Sequence, residues 1–203
     1  QHIVPTGGSN WSYLDDGSRA PAITQGADAV MYQNTAPKIY GGFDNTFRFA
    51  GFDLNVLLTY QLGFYVSYGT NAGLHDQRFW NNHRDVLARW QQPGDDTDFP
   101  RPIYGDNVSY GNTIPLDLNV FKGDFVKLRN ISLGYTIPGS VLGKAKINNL
   151  RIYASGQNLA MITKYPGSDP EVSSNGTSSS GQGSDRNAGP NARVFTMGLS
   201  VGF

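Results

Sequence analysis

The stretch Phe43-Asp44-Asn45-Thr46-Phe47-Arg48-Phe49-Ala50-Gly51-Phe52-Asp53-Leu54-Asn55-Val56-Leu57-Leu58-Thr59-Tyr60-Gln61-Leu62 decides the fold. Phe43, Phe47 and Phe49 share one parity, and Phe52, Leu54, Val56, Leu58, Tyr60 and Leu62 repeat at period two, the spacing of a strand with one apolar face. With Ala50-Gly51 as a two-residue turn, Phe49 faces Phe52 and Phe47 faces Leu54, so the apolar sets of both strands fall on one side. Asp44, Thr46, Arg48, Asp53, Asn55, Thr59 and Gln61 take the other side, with Leu57 as its one aliphatic member.

Outward from this hairpin the same alternation returns three times. Ile131, Leu133, Tyr135 and Ile137 alternate with Asn130, Ser132, Gly134 and Thr136, while Val126 and Leu128 fall on the opposite parity. That switch predicts either a bulge near Arg129 or a strand whose top clears the apolar zone. Leu150, Ile152 and Ala154 alternate with Arg151, Tyr153, Ser155 and Gln157. Phe195, Met197, Leu199, Val201 and Phe203 alternate with Thr196, Gly198, Ser200 and Gly202. Five strands are expected, near 39–49, 52–66, 124–137, 148–158 and 192–203. Short turns at 50–51 and 138–147 join them at one end, and long polar loops, 67–122 and 159–191, at the other. Within the first loop Phe79, Val86, Leu87 and Trp90 predict a short helix stopped by Pro93-Gly94. Residues 172–191 are Ser-, Gly- and Asn-rich without periodicity.

Composition agrees with an all-β chain. The 203 residues include 25 Gly and 11 Pro, aromatics make up 12%, and charged residues are only 16%. Lys and Arg total 16 against 16 Asp and Glu, so there is no basic surplus for nucleic acid. The absence of cysteine excludes disulfides, thiolate metal sites and cysteine nucleophiles. The longest aliphatic run, Val56-Leu57-Leu58, rules out a membrane helix, whereas a membrane β-strand needs only about 9 to 11 alternating residues. The chain starts at Gln1 with neither a basic n-region nor an apolar h-region, so no signal peptide is visible, and it reads as processed or as an internal piece. Length alone favours one domain.

Strict segregation of short turns and long loops to opposite ends is the pattern of outer-membrane barrels. Five strands fall short of the roughly 8 needed to close one, so the chain reads as part of a larger barrel. The alternatives are a soluble β-sandwich binding carbohydrate through its aromatic loops, and a secreted glycosidase fragment.

Several segments carry a resemblance. Pro37-Lys38-Ile39-Tyr40-Gly41-Gly42-Phe43 with Phe52-Asp53-Leu54, Asp124-Phe125-Val126-Lys127-Leu128-Arg129-Asn130-Ile131-Ser132-Leu133-Gly134-Tyr135, Asn149-Leu150-Arg151-Ile152-Tyr153 with Gln157-Asn158-Leu159, and Tyr165-Pro166-Gly167-Ser168-Asp169-Pro170-Glu171 resemble the C-terminal end of the SusC/RagA family of TonB-dependent outer-membrane transporters of Bacteroidota. Arg89-Trp90 before Pro93 and Phe99-Pro100-Arg101 resemble that family's loop. The match runs from about residue 36 to 203.

The resemblance implies the last five strands of a barrel of about 22 strands, in a multi-pass protein of the Gram-negative outer membrane. It further implies import of glycans or peptides with a SusD-like surface lipoprotein as lid and TonB as energy source, no cofactor, and no enzymatic step. The family's plug and TonB-binding segment match nothing here, and residues 1–35 depart from the loop the family would place there.

Gly198-Leu199-Ser200-Val201-Gly202 fits G-x-S-x-G, but a nucleophile elbow needs a helix after the Ser, and none has room to follow. His75 and His83 are eight apart with no HExxH, a metal pair would need a third ligand from elsewhere, and they read as polar loop residues, so no metal is expected. Asp95, Asp96 and Asp98 read as a solvated acidic turn rather than a glycosidase pair or a calcium loop. Trp80, Trp90, Tyr104 and Tyr110 are candidates for stacking on a ligand or partner, against the simpler role of anchoring their own loop. The final alternation Phe195, Met197, Leu199, Val201 and Phe203 resembles the assembly signal of outer-membrane proteins.

Overall fold

A computed structural model describes residues 4–5, 12–13, 19–20, 33–77, 81–102, 117–143, 147–174 and 183–202. Trp80, Tyr104, Tyr110 and Phe203 lie outside the described residues. The chain forms two compact units: Gln1–Gln33, Val66–Phe121 and Ser173–Ala188 in one, and Asn34–Tyr65, Lys122–Val172 and Gly189–Phe203 in the other.

The second unit is a five-stranded antiparallel meander, β1 Ile39–Phe49, β2 Phe52–Leu62, β3 Phe125–Ile137, β4 Asn149–Thr163 and β5 Val194–Gly202, each strand hydrogen-bonded to its neighbours in sequence. Ala50 and Gly51 both have positive φ, 49° and 87°, the conformation a two-residue hairpin turn needs to match strand twist. Phe49 pairs with Phe52 and Phe47 with Leu54, so the predicted hairpin register is the one observed.

A bulge crosses the sheet where the parity switches. Leu57 pairs with Asn130 but Leu58 with Leu128, leaving Arg129 as the extra residue. Against β4 the step is reversed: Leu128 pairs with Ala160 and Asn130 with Gln157, and Asn158 sits at φ 53°. Beyond the bulge Val126 and Leu128 rejoin the face of Ile131, Leu133 and Tyr135. One face therefore carries Phe47, Leu54, Leu133, Ala154 and Met197 across a single row of partners, and neighbouring rows repeat the pattern. That face is uncovered among the described residues: Met197 is 88% exposed, Phe49 84%, Ile162 77% and Phe195 76%. A β-sandwich would bury this face against a second sheet; a barrel wall leaves it to lipid.

Some boundaries differ from the sequence reading. The strand expected over 52–66 stops at Leu62, because Gly63 adopts φ +78° and donates its N–H to the Asp124 carboxylate at 2.6 Å. The strand expected to end near 158 continues to Thr163, since the bulge at Asn158 breaks the alternation without breaking the strand. The last strand runs over Val194–Gly202 in place of 192–203.

The first unit holds Gln1–Gln33 with parts of the two long loops, Val66–Phe121 and Ser173–Ala188, and contains regular structure. Short strands pair Val4–Pro5, Ser12–Tyr13 and Arg19–Ala20 in one small sheet, and Tyr65–Tyr68 lies between Ser184–Asp185 and Val120–Lys122 in another. A six-residue helix, Gly69–Leu74, was not foreseen. Of the helix predicted around 78–92, residues 78–80 lie outside the described residues, and the described part holds a 3-10 turn at Arg84–Ala88, with Val86 buried and Leu87 76% exposed. Side chains compete for the backbone that would continue it: Thr97 Oγ1 donates to the Ala88 carbonyl at 2.6 Å, and Asp95 accepts from the Gln91 and Gln92 N–H groups at 2.9 and 3.0 Å. No helix is long and apolar enough to cross a membrane among the described residues.

Candidate functional site

The face opposite the apolar one carries the chemistry. Asp53 on β2 and Arg151 on β4 meet across β3 through two hydrogen bonds, Nη2 to Oδ2 at 2.5 Å and Nε to Oδ1 at 3.1 Å. They can meet because the β3 residue between them is Gly134, where an added Cβ would stand 2.6 Å from Asp53 Oδ1 and overlap the guanidinium. The same guanidinium lies 5.2 Å from the Tyr153 ring centroid, and that ring covers Gly198 on β5. Toward β1, Asn55 Nδ2 donates to Asp44 at 2.6 Å and to Thr46 Oγ1 at 3.2 Å, and Asn130 Nδ2 donates to Asn55 Oδ1 at 3.3 Å. Charged and amide groups thus run from strand to strand along this face, which suits a water-filled lumen.

At the long-loop end the wall carries a buried ionic knot. Lys127 Nζ is 2.8 Å from Asp169 Oδ2 and 2.7 Å from Glu171 Oε2, and both Lys127 and Asp169 are almost wholly buried. Arg129, the extra residue of the bulge, pairs with the other oxygen of Glu171 and donates from Nε to Thr59 Oγ1 at 3.2 Å. Asp169 Oδ1 accepts the Glu171 N–H at 3.1 Å, and Asn191 Nδ2 reaches Asp169 Oδ2 at 3.3 Å. Phe125 and Phe64 close edge-to-face at 6.3 Å nearby on β3 and the β2 exit. In the sequence Lys127, Arg129, Asp169 and Glu171 stand only within segments that carry the family resemblance. Opposite charges recurring at one-residue spacing in two segments were the available signal, but nothing local pairs residues about 40 apart.

In the other unit Trp90 is half-buried, with the Arg101 guanidinium carbon 5.5 Å from its ring centroid, and the Trp90 backbone N–H donates to the Phe99 carbonyl at 2.8 Å. One face of the indole is therefore engaged within its own loop. Backbone donation from Gln91 and Gln92 holds the Asp95 carboxyl below its ordinary range. His75 and His83 rings meet edge-to-face at 6.3 Å, and burial, reinforced by His83 and opposed by Asp85, lowers the pKa of His75.

Ser200 lies inside β5, paired with Arg151, and the strand continues to Gly202; the strand-to-helix turn of a nucleophile elbow is not formed there. Phe195, Met197, Leu199 and Val201 all project from the apolar face of β5, with Leu199 opposite Ile152 and Met197 opposite Ala154.

Comparison with known proteins meets this geometry. No family model matches the chain. TonB-dependent receptor P3 of Formosa agariphila is 34% identical over 181 residues, which is 87% of this chain and 17% of the receptor. The chain belongs to the TonB-dependent receptors. TonB-dependent receptor SusC of Bacteroides thetaiotaomicron is 27% identical over 187 residues, 87% of this chain and 16% of SusC. The structure of the RagAB peptide importer in its open-open state superposes with a TM-score of 0.72 at 21% identity, covering 99% of this chain and 21% of that one. The chain thus spans about a sixth of the curated receptors it matches. Within this family of outer-membrane β-barrels, the meander is a piece of barrel wall.

Proposed function

We propose that the chain is the C-terminal wall of an importer that carries glycans or peptides across the outer membrane, with a SusD-like lipoprotein as its external lid and TonB acting through a segment other than these residues. The observation that carries this reading is one sheet with two unlike faces: an uncovered apolar one, and a polar one crossed by the Asp53–Arg151 bridge and the Lys127–Asp169–Glu171 knot. A soluble carbohydrate-binding sandwich has no use for the first face, and the protein performs no catalytic step in this reading. Trp90, with Trp80, Tyr104 and Tyr110, belongs to the loops that would meet the lid or the cargo.

Deleting the full protein from its host tests the reading. Uptake of labelled oligosaccharides or peptides should fall, return on complementation, and vanish when a protonophore removes the energy supplied through TonB. Normal uptake of every such cargo by the deletion strain refutes it.

The terminal strand takes part in assembly in the same reading. Its edge must be held until another strand pairs with it. One ring contributes only roughly 1.5–3 kcal/mol when fully covered, small beside a large closed barrel. Removing Phe203 should therefore lower the amount of mature protein in the outer membrane, with near-normal uptake per inserted molecule; normal insertion with lost uptake would assign the strand to the transport path.

A further inference from the structure

The loop unit brings His75 to His83 and Asp85, three side chains of types that ligate metals. The helix Gly69–Leu74 ends at His75, whose N–H donates to the Asn71 carbonyl at 3.0 Å. Residues 82 and 83 bond back to the end of that helix: His83 N–H donates to the Leu74 carbonyl at 3.0 Å, and Asn82 Nδ2 donates to Leu74 O at 3.2 Å and Asp76 O at 2.7 Å. These bonds close the neck of the loop with His75 and His83 side by side. His83 opens the 3-10 turn Arg84–Ala88, which carries Asp85 in its first turn with Oδ2 3.0 Å from His83 Nδ1. One ligand atom from each of the three lies within 4.8 Å of the others. Phe99 packs its ring 4.8 Å from the half-buried His75 and fixes one wall, while His83 and Asp85 stay open to solvent.

We propose that His75, His83 and Asp85 bind a first-row divalent cation of the zinc type. Two imidazoles and one carboxylate are a borderline-soft donor set, suited to zinc and poor for calcium or magnesium, which want several oxygens. Ligand bonds of about 2.0–2.2 Å set ligand atoms roughly 3.3 Å apart in a tetrahedron, so small side-chain rotations close the cluster on an ion. Three protein ligands leave a coordination position for water or for a group from a bound partner. The ion would clamp the neck of the loop, joining the helix end to the 3-10 turn by bonds stronger than the present His83–Asp85 contact.

The test uses the full-length receptor purified in detergent, titrated with Zn²⁺ against a chromophoric chelator, and with Co²⁺ for its visible absorption. Losing even an outer-shell partner of a ligand weakens metal sites by about 10- to 100-fold, so His75→Ala and His83→Ala should each weaken one Zn²⁺ equivalent by more than about tenfold. Asp85→Asn should weaken the same equivalent, and Asp85→Glu should retain it, which separates loss of a ligand from loss of the loop's fold. Bound Co²⁺ should give a low-coordinate visible band that the His75→Ala protein lacks. No Zn²⁺ on the parent protein, identical Zn²⁺ titrations for parent and His75→Ala, or displacement by equimolar Ca²⁺ would each overturn the proposal.

Discussion

Lys127 is 4% exposed and faces two carboxylates within 2.8 Å, on the polar side of a wall whose other side is apolar and uncovered among the described residues. Its placement depends on Arg129: the extra residue turns Lys127 inward and Val126 and Leu128 outward. Breaking a buried pair by removing one partner strands the other charge, at a cost of about 3–5 kcal/mol. Lys127→Ala should release the 164–172 segment by an amount of that order, read as lost hydrogen-exchange protection at the Tyr165, Glu171 and Val172 amides. These now donate to Thr163 Oγ1, Asp169 Oδ1 and the Asp169 carbonyl. Unchanged protection would show that the segment is held by Tyr165 and its packing alone. A second prediction concerns Asp95. Its folded pKa lies below 3.8 because two backbone N–H groups favour the carboxylate. A depressed acid contributes stability that is full above the unfolded value, about 3.9, and is lost as pH falls through the folded one. Gln91 and Gln92 amides should therefore stay protected at neutral pH and open only below that window, whereas Asp95→Asn should weaken protection at pH 7. Protection that is indifferent to Asp95→Asn would rule out the turn's carboxylate as its cause.

At the scale of the strands, the informative comparison is between neighbours of equal hydrophobicity. Val56 pairs with Asn45 and Ile131 on the apolar face, while Leu57 pairs with Asp44 and Asn130 on the polar face. Val56→Arg should cost about 2–4 kcal/mol near the bilayer midplane. Leu57→Arg should cost much less, because its guanidinium would project into the lumen beside Asp44. Refolding into lipid vesicles measures both, and equal penalties would reverse the assigned facing. The hairpin was legible because its period, its turn residues and its register all agreed. The extent of β4 was not: a strand is recognised by alternation, and the residue at Asn158 shifts alternation by one while hydrogen bonding continues to Thr163. The helix foreseen in the loop failed for a related reason. Spacing at Val86, Leu87 and Trp90 records only which residues are apolar, whereas Asp95 and Thr97 decide where the backbone bonds go.

For the whole molecule, connectivity sets the topology across the membrane. The hairpins after β1 and β3 leave one edge of the wall, and the segments that follow β2 and β4 leave the other. A cysteine in place of Leu87, which is 76% exposed, should react with an impermeant thiol reagent on intact cells. One in place of Val141, 69% exposed in the short turn after β3, should react only once the outer membrane is opened. Labelling of the Val141→Cys protein in intact cells would invert the orientation.

Alternation, turn chemistry and the ordering of short and long connections are local, additive properties, so the amino-acid sequence alone determined an all-β wall with one apolar face and with its short and long connections at opposite ends. The pairing of Lys127 with Asp169 and Glu171, the Asp53–Arg151 bridge over Gly134, and the meeting of His75, His83 and Asp85 were decided only by the tertiary structure. The first two join charges across strands or across a loop, where register and a bulge set which side chains share a face. The third depends on backbone bonds that draw a loop back to its start. Strand periodicity carries no information about distance between such groups, and only the folded chain sets it.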